Sequence, residues 1–126
     1  MKTQIATTKA PAAIGPYSQA IEANGIVFVS GQLPIDPATG EFAQGGVKEL
    51  TRQSLTNMQN ILAEVGLTME NVVKTTVFLA DMADFAAFNK VYEQYFTGKP
   101  ARSCVAVKTL PKNVLCEIEV IAVTEE

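Results

Sequence analysis

The sequence predicts an α+β fold, a single mixed β-sheet with two helices on one face. Three observations carry this. Asn24-Gly25 lies between two strand-forming runs and is the two-residue signal of a type I′ hairpin. From Val47 to Val65 the apolar residues recur at helical spacing, and Gly66 follows as a stop. The last segment, 115 to 123, alternates with the period of two that a strand requires.

In chain order, residues 17–23 and 26–31 flank the turn, with Ile26-Val27-Phe28-Val29 as a β-rich arm. Gln32 to Gly46 holds Pro34, Pro37 and three glycines, which predicts surface turns with room for a short edge strand. Val47, Leu50, Leu55, Met58, Ile61, Leu62 and Val65 then mark one apolar face of the first helix. Val72 to Ala80 is β-branched and apolar on both faces apart from Lys74, as expected of a strand buried on two sides. Asp81 and Asp84 are candidate caps of a second helix, with Phe85, Phe88, Tyr92 and Tyr95/Phe96 inward and Gly98 at its end.

Strands at 101–107 and 115–123, joined around Pro111-Lys112-Asn113, are expected to pair as neighbours. On the second of them Cys116, Ile118, Val120 and Ala122 make an apolar face suited to the helices, and Glu117 and Glu119 lie opposite. Matching Ser103, Val105 and Val107 to the helix side leaves Arg102, Cys104 and Ala106 with the glutamates. An index sum near 221 then sets Cys104 against Glu117 and Arg102 against Glu119.

Composition excludes several classes of function. The 126 residues are 48% apolar and 18% charged, which predicts one globular domain over 1–126 with no membrane span. The first ten residues lack the apolar core of a secretory signal, so a cytoplasmic location is expected. Net charge is −3 with scattered cations, which argues against nucleic acid as a partner. His is absent, and with it the commonest metal ligand and general base. Cys104 and Cys116 are expected as free thiols, and without a His to activate it Cys104 is structural rather than nucleophilic.

Arg102 is the strongest candidate for a binding residue. It sits in Pro100-Ala101-Arg102-Ser103-Cys104-Val105 among small and apolar neighbours. Its planar fork of donors stays charged and fits a carboxylate or phosphate, so a part-buried Arg needs an anion. That anion is either a ligand or an internal partner, Glu119 or Glu117. Two helices also cover only one face of the sheet, so apolar residues on the other face call for further copies of the chain, with Arg102 and the glutamates near the interface.

Four segments carry a resemblance. Ala12-Ala13-Ile14-Gly15-Pro16-Tyr17-Ser18-Gln19, Ser30-Gly31-Gln32-Leu33-Pro34, Pro100 to Val105, and Glu117-Ile118-Glu119 together resemble the Rid (YjgF) family of reactive intermediate deaminases, in particular its RidA subgroup. The resemblance spans essentially the whole chain. It implies a chorismate-mutase-like homotrimer with a central barrel and outer helices, without metal, cofactor, nucleic acid or membrane. It also implies hydrolysis of 2-iminopropanoate and 2-iminobutanoate, formed from enamines that pyridoxal-phosphate-dependent Ser and Thr dehydratases release, to 2-oxo acids and ammonia.

By the same resemblance Arg102 clamps the substrate carboxylate, Glu117 holds or activates water, and Tyr17 helps to place it. Ser30, Gly31 and Cys104 line the pocket, and Asn89 approaches from its side. Two positions depart from the pattern: Cys116, where the family usually has an aliphatic residue, lies on the helix-facing side and is expected to leave the chemistry alone, and the short connection 96–100 reshapes one wall of the pocket and bears on substrate preference. A non-catalytic 2-oxo-acid-binding protein and an RNA-cleaving translation inhibitor are the alternatives.

Overall fold

A computed structural model describes residues 1–124. The elements run β1 (Lys2–Ile5), β2 (Ala20–Ala23), β3 (Ile26–Gln32), β4 (Ile35–Asp36), β5 (Glu41–Phe42), α1 (Val47–Glu64), β6 (Val72–Leu79), α2 (Phe85–Tyr95), β7 (Ala101–Ala106) and β8 (Cys116–Val123). Asn24 and Gly25 have φ of 53° and 76°, the left-handed pair that a type I′ turn needs between β2 and β3. The Pro- and Gly-rich segment after β3 folds back as the small ladder β4–β5.

Helix α1 stops where the sequence predicts. Gly66 turns left-handed at φ 77°, its N–H donates to the Ala63 carbonyl at 3.0 Å, and the Leu67 N–H donates to the Leu62 carbonyl at 2.9 Å. Asp81 accepts from the Ala83 N–H at 2.9 Å and so caps the short turn leading into α2, whereas the Asp84 side chain makes no capping bond. Beyond α2 the left-handed residue is Lys99, at φ 55°, and not Gly98.

The main sheet has the order β1-β2-β3-β8-β6-β7. This corrects the expected pairing of the last two strands: β6 lies between them, antiparallel to β8 and parallel to β7. A parallel pair needs a long crossover, and α2 is that crossover. In-register partners share a face, and Thr75 pairs with both Arg102 and Val120, Val77 with both Cys104 and Ile118. Arg102 and Cys104 therefore lie on the helix side. Ser103 and Val105 lie on the far side with Glu119 and Glu117, through Thr76 and Phe78.

The core forms between the sheet and the two helices. Leu55, Met58, Ile61 and Leu62 of α1 and Phe88 and Val91 of α2 pack over Val27, Val77, Leu79, Ile118 and Ala122, all buried. The opposite face is open in a single chain, so β6 is buried on one side and not on two. Phe28 and Val105 are each 46% exposed there, beside the half-buried Ile21, Phe78 and Ile121.

One buried amide anchors the N-terminal loop. Gln19 Oε1 accepts from the Thr7 N–H at 2.7 Å, and Gln19 Nε2 donates toward the carbonyls of Thr7, Ala10 and Pro11 at 3.1, 3.3 and 2.7 Å. That fixes the segment leading into β2, which carries Tyr17.

Leu55 is fully buried, so Leu55→Ala should lower unfolding free energy by about 3 kcal/mol through lost transfer energy and an unfilled cavity, as read from the urea midpoint.

Candidate functional site

The candidate residues fall into two groups on opposite faces of the sheet. The Arg102 group lies beneath α2. Arg102 Nη1 donates to Asn89 Oδ1 at 2.6 Å, and the guanidinium lies 4.7 Å from the centre of the Tyr92 ring and 5.4 Å from that of Phe85. The Tyr92 and Thr75 hydroxyls are bonded at 2.8 Å, which fixes the ring. Burial raises the pKa of the Tyr92 hydroxyl, so the ring stays neutral under the cation.

These contacts position Arg102 without neutralising it, because none of its bonded or stacked partners is a carboxylate. Glu119, the proposed internal competitor, sits on the other face. Asn89, Tyr92, Glu93, Lys99, Pro100 and Arg102 line a hollow of about 400 Å³, in which the two cations outnumber the one carboxylate. Cys104 follows on the same face, half-buried, its thiol pKa raised by burial and drawn back by Arg102.

The Glu117 group lies across the sheet. Tyr17, Ser30, Gly31, Lys112, Glu117 and Glu119 line a second hollow of about 640 Å³. Ser30 Oγ donates to the Ser18 carbonyl at 2.6 Å, tying β3 to the segment that carries Tyr17. The Glu117 pKa is raised, first by burial and second by the like charge of Glu119. Glu119 itself is exposed, so of the two glutamates Glu117 has the environment suited to a proton acceptor.

The structure thus unites Arg102 with Asn89, and Glu117 with Tyr17, Ser30 and Gly31. It separates Arg102 and Cys104 from Glu117, which the expected hairpin had joined, because β6 intervenes and reverses the face of β7. Two features escaped the sequence. The aromatic row of α2 reads as core, yet Phe85 and Tyr92 also form the shelf under Arg102. Lys112 reads as a loop residue, yet it takes φ 56° and lines the Glu117 hollow.

Cys104 and Cys116 are both free. Cys116 is fully buried 3.9 Å from the Thr51 hydroxyl, and burial pushes its thiol pKa up to about 11, so the departure at this position adds no reactive group. Among the described residues, no cluster of three or more His, Cys, Asp or Glu side chains could hold a metal, and no helix is long and apolar enough to cross a membrane.

Residues 7–124 match a family model described as Endoribonuclease L-PSP. A RutC family protein of Pyrococcus horikoshii is 53% identical over 126 residues, covering 99% of this chain and 100% of that one. The 2-iminobutanoate/2-iminopropanoate deaminase of Mus musculus is 51% identical over 120 residues, covering 94% and 89%. The solved structure of the YjgF gene product of E. coli superposes with a TM-score of 0.93 at 47% identity, covering 98% of this chain and 99% of the other. The mixed sheet with its two helices is the architecture of that structure.

The raised pKa of Glu117 makes a stability prediction. The unfolded carboxyl loses its proton near its ordinary value of 4.5, before the folded one does, so the wild type loses stability as pH rises from there through the folded pKa. Glu117→Gln lacks this loss. Melting temperatures of the two proteins should converge below pH 4 and diverge towards pH 7, with the variant higher.

Proposed function

Because the chain belongs to the Endoribonuclease L-PSP family, which contains the Rid (YjgF) proteins, we propose that it hydrolyses 2-imino acids to 2-oxo acids and ammonia. The observation that carries this reading is a pair of complementary half-sites: a positioned Arg102 that, among the described residues, is bonded and stacked on no carboxylate, and a half-buried Glu117 with a raised pKa. The first suits a carboxylate. The second suits the proton of an attacking water.

A protonated imine carbon is already electrophilic, so water addition needs orientation, charge complementarity and a proton acceptor, with neither metal nor covalent nucleophile. Arg102 holds the substrate carboxylate, while Asn89, Phe85 and Tyr92 keep its fork aimed. Water adds to the imine carbon as Glu117 takes its proton. That proton then passes to nitrogen, and the C–N bond breaks as the new hydroxyl gives its own proton to Glu117, releasing ammonia and leaving the 2-oxo acid. Tyr17 and Ser30 line the water side of the site. 2-Iminopropanoate and 2-iminobutanoate, the imino acids in the mouse relative's name, are the proposed substrates, supplied by dehydratases that release enamines.

The two half-sites lie on opposite faces of one chain, so the reading requires that a second copy bring its Glu117 group to the Arg102 edge. A homotrimer whose open sheet faces enclose a barrel would do this. The exposed Phe28 and Val105, with Ile21, Phe78 and Ile121 beside them, supply the apolar surface that such an assembly would bury. RNA cleavage, which the family description names, has less support here, since the chain lacks His and carries a net charge of −3.

Four measurements test the proposal. Purified threonine dehydratase with this protein should clear the imine absorbance faster than spontaneous hydrolysis, and 2-oxo-acid binding at an unchanged rate would favour a binding protein instead. Arg102→Ala should raise KM and lower kcat, with kcat/KM falling about 100-fold for loss of a charge-assisted bond pair. Inactive Arg102→Ala and Glu117→Gln chains, unfolded together and refolded, should regain about a quarter of wild-type activity if sites form between copies and subunits mix at random. A monomer in sedimentation at micromolar concentration contradicts the assembly.

A further inference from the structure

Strand β3 does not run evenly beside β8. Val29 pairs with Val120 and Gln32 with Ile118, three residues against two, so one extra residue bulges out at Ser30-Gly31. Bulges re-aim side chains, and they recur beside functional sites. This one is held at both ends: Ser30 Oγ donates to the Ser18 carbonyl at 2.6 Å, and Gln32 Nε2 donates to the Ser30 carbonyl at 3.1 Å.

The bulge brings the α-carbon of Gly31 directly against the Glu117 side chain. A Cβ built on Gly31 would meet Glu117 Oε2 in a hard clash, with Cδ at 2.9 Å and Cγ at 3.1 Å, and these are its three nearest neighbours. Gly31 does not have a left-handed φ, so its backbone would accept alanine. The requirement for glycine is one of space, and the space is filled by one carboxylate.

We propose that Gly31 is a positioning residue, and that the Ser30-Gly31 bulge is a side-chain-free seat that holds the Glu117 carboxylate in its working place. The inference deepens the proposed imine hydrolysis and rests on it for its catalytic consequence. Alanine at position 31 would push the carboxylate off the seat toward the other groups of its hollow, Tyr17, Lys112 and Glu119, while Arg102 on the far face keeps its grip on substrate.

The test compares Gly31→Ala, Glu117→Asp and the double variant, in the imine assay and by carbon NMR titration of labelled glutamate carboxyls. Gly31→Ala should lower kcat at least tenfold with KM nearly unchanged, since a carboxylate displaced by about 1 Å loses its geometry. It should also shift the Glu117 titration. Glu117→Asp, one methylene shorter, should relieve the clash, so that the double variant retains more activity than the product of the two single losses. An unchanged Glu117 titration in folded Gly31→Ala, or losses that simply multiply, overturns the proposal. If the wild type shows no imine turnover, the functional reading fails and the titration still decides whether the seat exists. If Gly31→Ala does not fold, Gly31→Ala/Glu117→Ala decides: folding of that pair supports the seat, and its failure overturns it.

Discussion

The placement of β6 between β8 and β7 is the constraint on which the rest of the structure depends. Because β6 and β7 run parallel, the chain must cross from the end of one to the start of the other, and α2 is laid over the sheet in doing so. The crossing carries the aromatic row over the β7 edge and puts Arg102 beneath it. The antiparallel partner on the other flank, β8, is thereby confined to the centre of the sheet, where β3 and β6 lock the register that sends Glu117 to the open face. One pairing decision therefore sets the side on which each charged group emerges.

The two charges are managed by different physics. Arg102 is held by contacts that leave its charge intact: a hydrogen bond from a charged donor, of the order of 1.5–3 kcal/mol, and ring faces worth roughly 0.5–2 kcal/mol. None of these supplies a counter-charge, so the guanidinium is rigid and still hungry for an anion. Glu117 is treated in the opposite way, since burial and the neighbouring Glu119 both disfavour its anion. The fold keeps a cation ready and a carboxylate reluctant, on two sides of one sheet.

Local chemistry was legible in the sequence because it depends on nearby residues. Asn24-Gly25 could only turn in the way it does, Gly66 closes α1, and the alternation of Cys116 to Val123 sorts its two faces correctly. The neighbour of β7 was not legible by the same means, because strand order is set by contacts far apart in sequence. Two signs did point to it: a helix between β6 and β7 is the mark of a parallel unit, and the nine residues between β7 and β8 exceed an ordinary hairpin loop. The short motifs located the candidate residues but could not tell which shared a face. Helical periodicity reports burial and is silent on what rests against the face of a packed ring, so the role of Phe85 and Tyr92 emerges only in the folded chain.

The Gln19 amide can be viewed as a code word with a single spelling. It must accept from one N–H and donate to carbonyls of three residues, and only a primary carboxamide of this length offers both. Glutamate at this position would turn lone pairs toward the carbonyls of Thr7, Ala10 and Pro11, and methionine would leave all of them without a donor. The route of the N-terminal loop is thus written not in the loop but in one letter eight to twelve residues downstream of the groups it binds. Drift in the loop's exposed side chains is cheap for as long as that letter stands, whereas Ala10 is held by the core and Tyr17 by the hollow it lines.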